Sequence, residues 1–203
     1  MSKIGFLVEC GPQGLEVRML PRICQFIAEG HSIEIEPGIV PMSNKEFLLE
    51  QCGSVAAGLL QDGCERVVIL WDERPAWPSE HEDLCWSTER EKILAEIATA
   101  KVPLDRVGLV CIEREFESWL LADHTMLSSA LSRPTHPFKA KTQNNPERLP
   151  NPKGTMISVF KEAGRGRYNE VQHAGLFVEH LSSLTRFRKC KTFKRFEQKV
   201  RGG

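Results

Sequence analysis

A chain of 203 residues is long enough for one complete hydrophobic core, and 41% hydrophobic with 27% charged residues is the composition of an ordinary folded protein. That balance makes disorder not the default for the chain, and no window approaches the roughly 18 consecutive apolar residues of a membrane span. The formal net charge of zero conceals a split, with 22 acidic against 11 basic residues over Met1–Ser132 and 16 basic against 5 acidic over Arg133–Gly203. An acidic half suits cations, and a basic half suits phosphates or an acidic partner surface.

In chain order, Met1-Ser2-Lys3 leads straight into Ile4-Gly-Phe-Leu-Val8, a short buried-strand pattern rather than a secretory signal, so a cytoplasmic location is expected. The strand ends at Glu9, before the turn Cys-Gly-Pro-Gln-Gly. A helix follows with Leu15, Met19, Ile23, Phe26 and Ile27 on one face, Glu16 in its first turn and Gly30 as its stop. Ile33-Glu-Ile-Glu36 alternates as an edge strand, and Pro37, Gly38 and Pro41 mark a loop. Ser43-Asn-Lys-Glu46 has capping-box spacing and predicts a helix from about Asn44 to Leu60.

Arg66-Val-Val-Ile-Leu-Trp71 is the most strand-like run of the chain, and it ends at Asp72. The loop from Glu73 to Trp86 is long and acidic, and Thr88-Glu-Arg-Glu91 then has the spacing that opens a further helix to about Ala100. Val107 to Ile112 reads as a fourth buried strand. It runs through Glu113, Glu115 and Glu117 into a helix from Phe116 onward, with Trp119 and Leu120 as core. Residues 131–152 are proline-rich and predicted as a loop or linker. Helices are expected through Met156, Ile157 and Phe160 and again through Val171, Leu176, Val178 and Leu181. The tail from Arg186 to Arg201 interleaves eight basic residues with three phenylalanines, and Phe193, Phe196 and Val200 fit one face of a short helix.

Seven scattered cysteines without a Cys-x-x-Cys pair read as reduced thiols, and His81-x-x-x-Cys85 with Asp83 is an isolated polar-loop pair. The alternation of strands and helices predicts an α/β fold with a mostly parallel four-stranded sheet. Residues 1–132 would form the α/β domain and 133–203 a basic, mainly helical extension packed on it.

Setting the first, third and fourth strands side by side brings Glu9, Asp72 and the Glu113/Glu115/Glu117 group to one sheet edge, where α/β proteins place their chemistry. Hard oxygen ligands there suit Mg²⁺ or Mn²⁺: Glu9, Asp72 and Glu115 are the candidate ligands, and Glu117 a further ligand or base. The competing reading is an acidic sheet edge with no metal, its glutamates solvated helix-start charges. Lys153 at a helix start, and Arg186, Arg188, Lys189, Lys191, Lys194 and Arg195 in the tail, are candidate contacts for a phosphate or nucleic-acid backbone. Packing of the tail by its phenylalanines, with the lysines solvated, is the alternative.

Strand, Glu9, glycine-containing turn, Glu16 and a later strand ending in Asp72 resemble a TOPRIM domain, the metal-binding fold of topoisomerases, primases and OLD-type nucleases. Glu115-Phe-Glu-Ser-Trp-Leu-Leu-Ala-Asp123, Pro152-Lys153, Tyr168 and Thr192-Phe-Lys-Arg-Phe196 more closely resemble a TOPRIM-like bacterial family, domain of unknown function 4276, over nearly the whole chain. The resemblance implies a Mg²⁺-dependent phosphodiesterase or nuclease, with an ATPase partner in a bacterial defence assembly. One departure stands out. Where that family closes its third strand with Asp-x-Asp, this chain reads Asp72-Glu73-Arg74. Arg74 repels a cation and suits a phosphate, and Glu73 points to the opposite face. A catalytically inactive nucleic-acid- or nucleotide-binding regulatory subunit, and a protein-interaction domain, are therefore carried as alternatives.

Overall fold

The apolar runs form the strands expected of them, and the periodic segments between them form helices. The structure is a computed structural model describing residues 2–31, 35–73 and 86–202, with side chains of the last segment from 88 onward. In order, these are β1 Ser2–Val8, α1 Leu15–His31, β2 Ile35–Pro41, α2 Lys45–Gln61, β3 Arg66–Asp72, α3 Trp86–Thr99 and β4 Val107–Ile112. After them come α4 Glu117–Ala122, α5 His124–Leu131, α6 Pro152–Glu162, α7 Glu170–His180 and α8 Lys191–Arg201. The sheet order is β2-β1-β3-β4 and every pairing is parallel. The strands that end in carboxylates are therefore neighbours.

Alternation along the strands divides the core in two. Phe6, Val8, Val68, Leu70, Val110 and Ile112 pack against α1 and the C-terminal helices, whereas Leu7, Val67, Ile69 and Trp71 pack against α2 and α3. The first of these clusters draws on both halves of the sequence, from Ile4 to Val200. Among the described residues no helix is long and apolar enough to cross a membrane.

Several boundaries moved for physical reasons. α1 continues past Gly30 to His31 and tolerates Pro21 in its interior, because Leu15, Met19, Leu20, Ile23, Cys24 and Ile27 are all buried on one face. β2 runs through Pro37, Gly38 and Pro41, where the sequence predicts a loop; an edge strand can carry prolines whose missing N–H would face solvent. Ser43 does not cap α2. It sits at φ 61°, and Asn44 takes the cap by accepting from the Phe47 N–H at 2.8 Å. Thr88 lies inside α3, which starts at Trp86.

The C-terminal segment is anchored by Trp119, at the centre of a ring cluster with Phe116 and Phe193, both 5.0 Å away, and Phe196 at 5.4 Å. Its indole N–H donates to Thr192 Oγ1 at 2.9 Å, and the Thr192 hydroxyl donates in turn to Glu147. Glu147 also accepts the backbone N–H groups of Lys191 (2.7 Å) and Thr192 (2.9 Å). A carboxylate from the proline-rich stretch thus caps the positive start of α8 and ties that stretch down.

The contact between α2 and α3 depends on Gly53 of α2. A Cβ there would meet the Glu96 carbonyl oxygen of α3 at 2.2 Å, and backbone cannot swing aside. Alanine would gain about 1 kcal/mol of helix propensity, but overpacking costs up to about 3 kcal/mol and α2 and α3 must separate. Gly53→Ala is expected to lower stability by about 2 kcal/mol in urea unfolding, whereas Gly58→Ala, where nothing lies within 4 Å, should be neutral or stabilising.

Candidate functional site

Parallel strands in a sheet send their carboxyl ends to one edge, and here that edge opens into a cleft of about 820 Å³. Glu9 follows β1, Glu16 lies in the first turn of α1, Asp72 ends β3, and Glu115 and Glu117 lie at the start of α4; all line the cleft. Glu170 of α7 joins them, and Lys45 and Lys153 are its cations.

The carboxylates are tied to the backbone of neighbouring strand ends. Glu9 Oε2 accepts the Asp72 N–H (3.3 Å), and Asp72 Oδ2 accepts the Phe116 N–H (3.3 Å), so the mouths of β1, β3 and β4 are linked in series. Glu117 Oε1 accepts from the buried Tyr168 hydroxyl at 3.1 Å, and Glu115 Oε2 from the Lys153 N–H at 2.8 Å, while the Lys153 ammonium pairs with Glu170. Lys45, only 3% exposed, donates to the carbonyl oxygens of Asp72 (2.7 Å) and Glu73 (3.3 Å). Its ammonium lies 3.0 Å from Glu89 and 3.9 Å from Glu9.

Burial dominates the electrostatics. It raises Glu9 to about 8 despite Lys45, and Glu16 to about 7 despite hydrogen bonds from its own backbone and from Cys10. Glu117 also rises to about 7 through burial, with Glu115 and Glu16 adding to the shift. Asp72 is pushed well above its ordinary range by burial and then by Glu16, Glu9 and Glu117. Burial drives the Tyr168 hydroxyl upward, with Glu117 as the next cause, so it stays a donor.

Glu113 is not in the cleft. It lines a separate hollow with Glu73, Arg114 and Arg148, so Glu73 also faces away from Asp72's side. None of the tail cations lines the cleft: Arg186 is 3.8 Å from Asp123, Arg188 pairs with Glu197 at 2.6 Å, and Lys189, Lys191, Lys194 and Arg195 are exposed. Arg74, His81, Asp83 and Cys85 lie outside the described residues. Lys45 and Glu170 were not legible as site residues, because their sequence context is that of an ordinary first helical turn. Glu16 carried a signal, as the first acidic residue after the glycine turn.

A hard divalent cation fits this donor set in chemistry, since the donors are carboxylate oxygens whose charged form is disfavoured by burial and then by one another, and a cation would stabilise it. As they stand, however, no three His, Cys, Asp or Glu side chains among the described residues are grouped to hold an ion.

The fold and site define an α/β protein with an acidic, lysine-flanked cleft at the carboxyl edge of a parallel sheet. A model for a domain of unknown function, DUF4276, matches residues 20–201, and the chain belongs to that family. The matched span includes Asp72, Glu115, Glu117 and Lys153 and begins after Glu9 and Glu16. No curated protein and no solved structure matches the chain.

Proposed function

We propose that the protein is a Mg²⁺- or Mn²⁺-dependent phosphodiesterase whose substrate is single-stranded nucleic acid. The observation that carries this reading is the convergence of Glu9, Glu16, Asp72 and Glu117, from two strand ends and two helix starts, in one cleft. Their resemblance to the strand-end carboxylates of a TOPRIM domain supports it. Mg²⁺ keeps several waters and takes phosphate oxygens beside one or two carboxylates, so a closed protein cage is not required.

Glu9, Asp72 and Glu16 would hold the cation, which when bound polarises a phosphoryl oxygen and activates water. Glu117, raised to about 7 and oriented by Tyr168, is placed to accept or return a proton near neutral pH. Glu115 accepts the Lys153 N–H with one oxygen, which ties the start of α6 to the cleft, and its other oxygen would join the cation's ligands. Lys153 supplies positive charge for a phosphate. A cleft of this size falls in the range of small-ligand pockets, so it takes one or two nucleotides and not a duplex.

Calorimetric titration of chelator-stripped protein with Mn²⁺, paired with cleavage of labelled single-stranded DNA and RNA, tests the proposal. Asp72→Asn should lose saturable Mn²⁺ binding together with cleavage. Glu117→Gln should keep binding while cleavage falls about 10²-fold or more. Cleavage by Asp72→Asn at the parent rate would sink the reading.

A further inference from the structure

The two edges of the sheet differ. β2 carries Pro37 and Pro41, which have no N–H to offer another strand. At the other edge β4 reads Val-Gly-Leu-Val-Cys-Ile, with neither proline nor charge. Among the described residues, its backbone bonds go to β3, to Glu73 and, from the Val107 N–H, to Leu104. An apolar edge without such protection is an open template for strand pairing.

One face of β4 is covered: α8 crosses it, and a Cβ on Gly108 would lie 2.9 Å from the Cβ of Lys199. The opposite face is covered only in part by the described residues, packing against the cluster that holds Ile93 and Ile97 of α3. Val107, Leu109 and Cys111 are half-buried and floor an open groove of about 600 Å³. Trp71, Leu94 and Leu104 also line it, and Leu104, at 59% exposure, is one of few large apolar side chains left in solvent.

Among the described residues the charged lining of this groove is basic: Arg90, Arg195 and Lys199. Arg90 and Arg195 make no hydrogen bond or ion pair with another described residue. Arg195 also lines the neighbouring hollow, where Arg114 and Arg148 face Glu73, Glu113 and Glu147 and the charge is mixed. A strand edge unpaired among the described residues, an apolar floor and two arginines, Arg90 and Arg195, without a described partner share one elongated site. The geometry points to this groove as the docking site for an extended acidic peptide of a partner protein, laid along β4 as a fifth strand.

The occupant's chemistry follows from strand geometry. Side chains of an added strand alternate, so one set meets the floor of Val107, Leu109 and Cys111 and the other meets the α8 side, where Arg195 and Lys199 sit. The matching sequence alternates β-branched apolar residues with Asp or Glu. A nucleic acid fits less well, because base binding needs exposed aromatic faces, and Trp71, the aromatic residue among the described lining, is 2% exposed. This site is separate from the acidic cleft and does not depend on its chemistry.

The test is a titration of the isotope-labelled full chain with a synthetic peptide of about eight residues alternating Val with Asp and Glu, long enough for one strand. Amide resonances of Val107–Cys111 should shift and saturate, and a backbone N-methylated peptide of the same sequence should fail to bind. Arg90→Glu combined with Leu104→Asp, both exposed positions, should weaken binding about tenfold or more with an unchanged melting curve. No saturable shift, shifts that map away from β4, or equal binding of the N-methylated peptide would overturn the proposal. So would an oligothymidylate that produces the β4 shifts and displaces the peptide.

Discussion

Lys45→Met is expected to cost about 3–5 kcal/mol of stability, the range for removing one partner of a buried charge pair. The reason is what it leaves behind. Glu89, also 3% exposed, would keep only the Trp71 indole N–H, 2.9 Å from its Oε2, and the carbonyl oxygens of Asp72 and Glu73 would lose their donor. Methionine matches the stem in volume, so the loss is electrostatic rather than a cavity. The double variant Lys45→Met/Glu89→Gln should recover part of the loss, because glutamine can still accept from Trp71 without carrying an unpaired charge. Urea unfolding of the two variants and Glu89→Gln closes the cycle. Additive losses would show that Lys45 does not couple to Glu89 and acts through its hydrogen bonds to the Asp72 and Glu73 carbonyls instead. The same residue fixes the end of β3, so a misplaced Asp72 in Lys45→Met is a further expected consequence.

Lys45 also shows where sequence reading stops. The strands were legible because apolar periodicity is local, and the order of carboxylate-bearing strand ends follows from parallel pairing. A buried lysine has no such signature: Asn44-Lys45-Glu46 reads as a polar helix start, and its partners lie 27 to 44 residues along the chain. Glu147 is similar, since a glutamate in a proline-rich loop gives no hint that it will cap α8. The three glutamates after β4 posed a different problem. Alternation alone leaves open which face each takes. The chain resolves this by leaving the strand conformation, with Arg114 at φ 72°. Glu113 is left in the outer hollow while Glu115 and Glu117 reach the cleft. A left-handed arginine carries no sequence mark, whereas a glycine there would have been read as a turn.

Stability is expected to fall as pH rises from about 5 to 8, the reverse of the behaviour of a protein held by carboxylate ion pairs. The unfolded chain releases its glutamate protons near 4.5, whereas folded Glu117 and Glu16 hold theirs to about 7 and Glu9 to about 8. Between those values the folded state binds more protons, so each increment of pH favours unfolding. The stability these groups contribute is complete below about pH 4.5 and is lost progressively up to about pH 8. For Glu117 alone the loss is on the order of 3 kcal/mol; the groups share one cleft, so their losses do not add. Glu197 works oppositely at the acid end: burial raises it, but Arg188 and His31 outweigh burial, so its contribution fades below 4.5. The melting temperature should therefore peak near pH 5. Asp72→Asn keeps an acceptor for the Phe116 N–H and removes one crowded charge, so it should melt higher than the parent at pH 8 and show a shallower pH slope. Mn²⁺ added at pH 8 should restore the parent's stability by about 2.7 kcal/mol at a hundredfold excess over its dissociation constant, and leave Asp72→Asn unmoved. A melting temperature that is flat from pH 5 to 8 would mean that the carboxylates ionise in the folded cleft as they do in the unfolded chain. In that case the cleft would have no electrostatic deficit for a cation to fill.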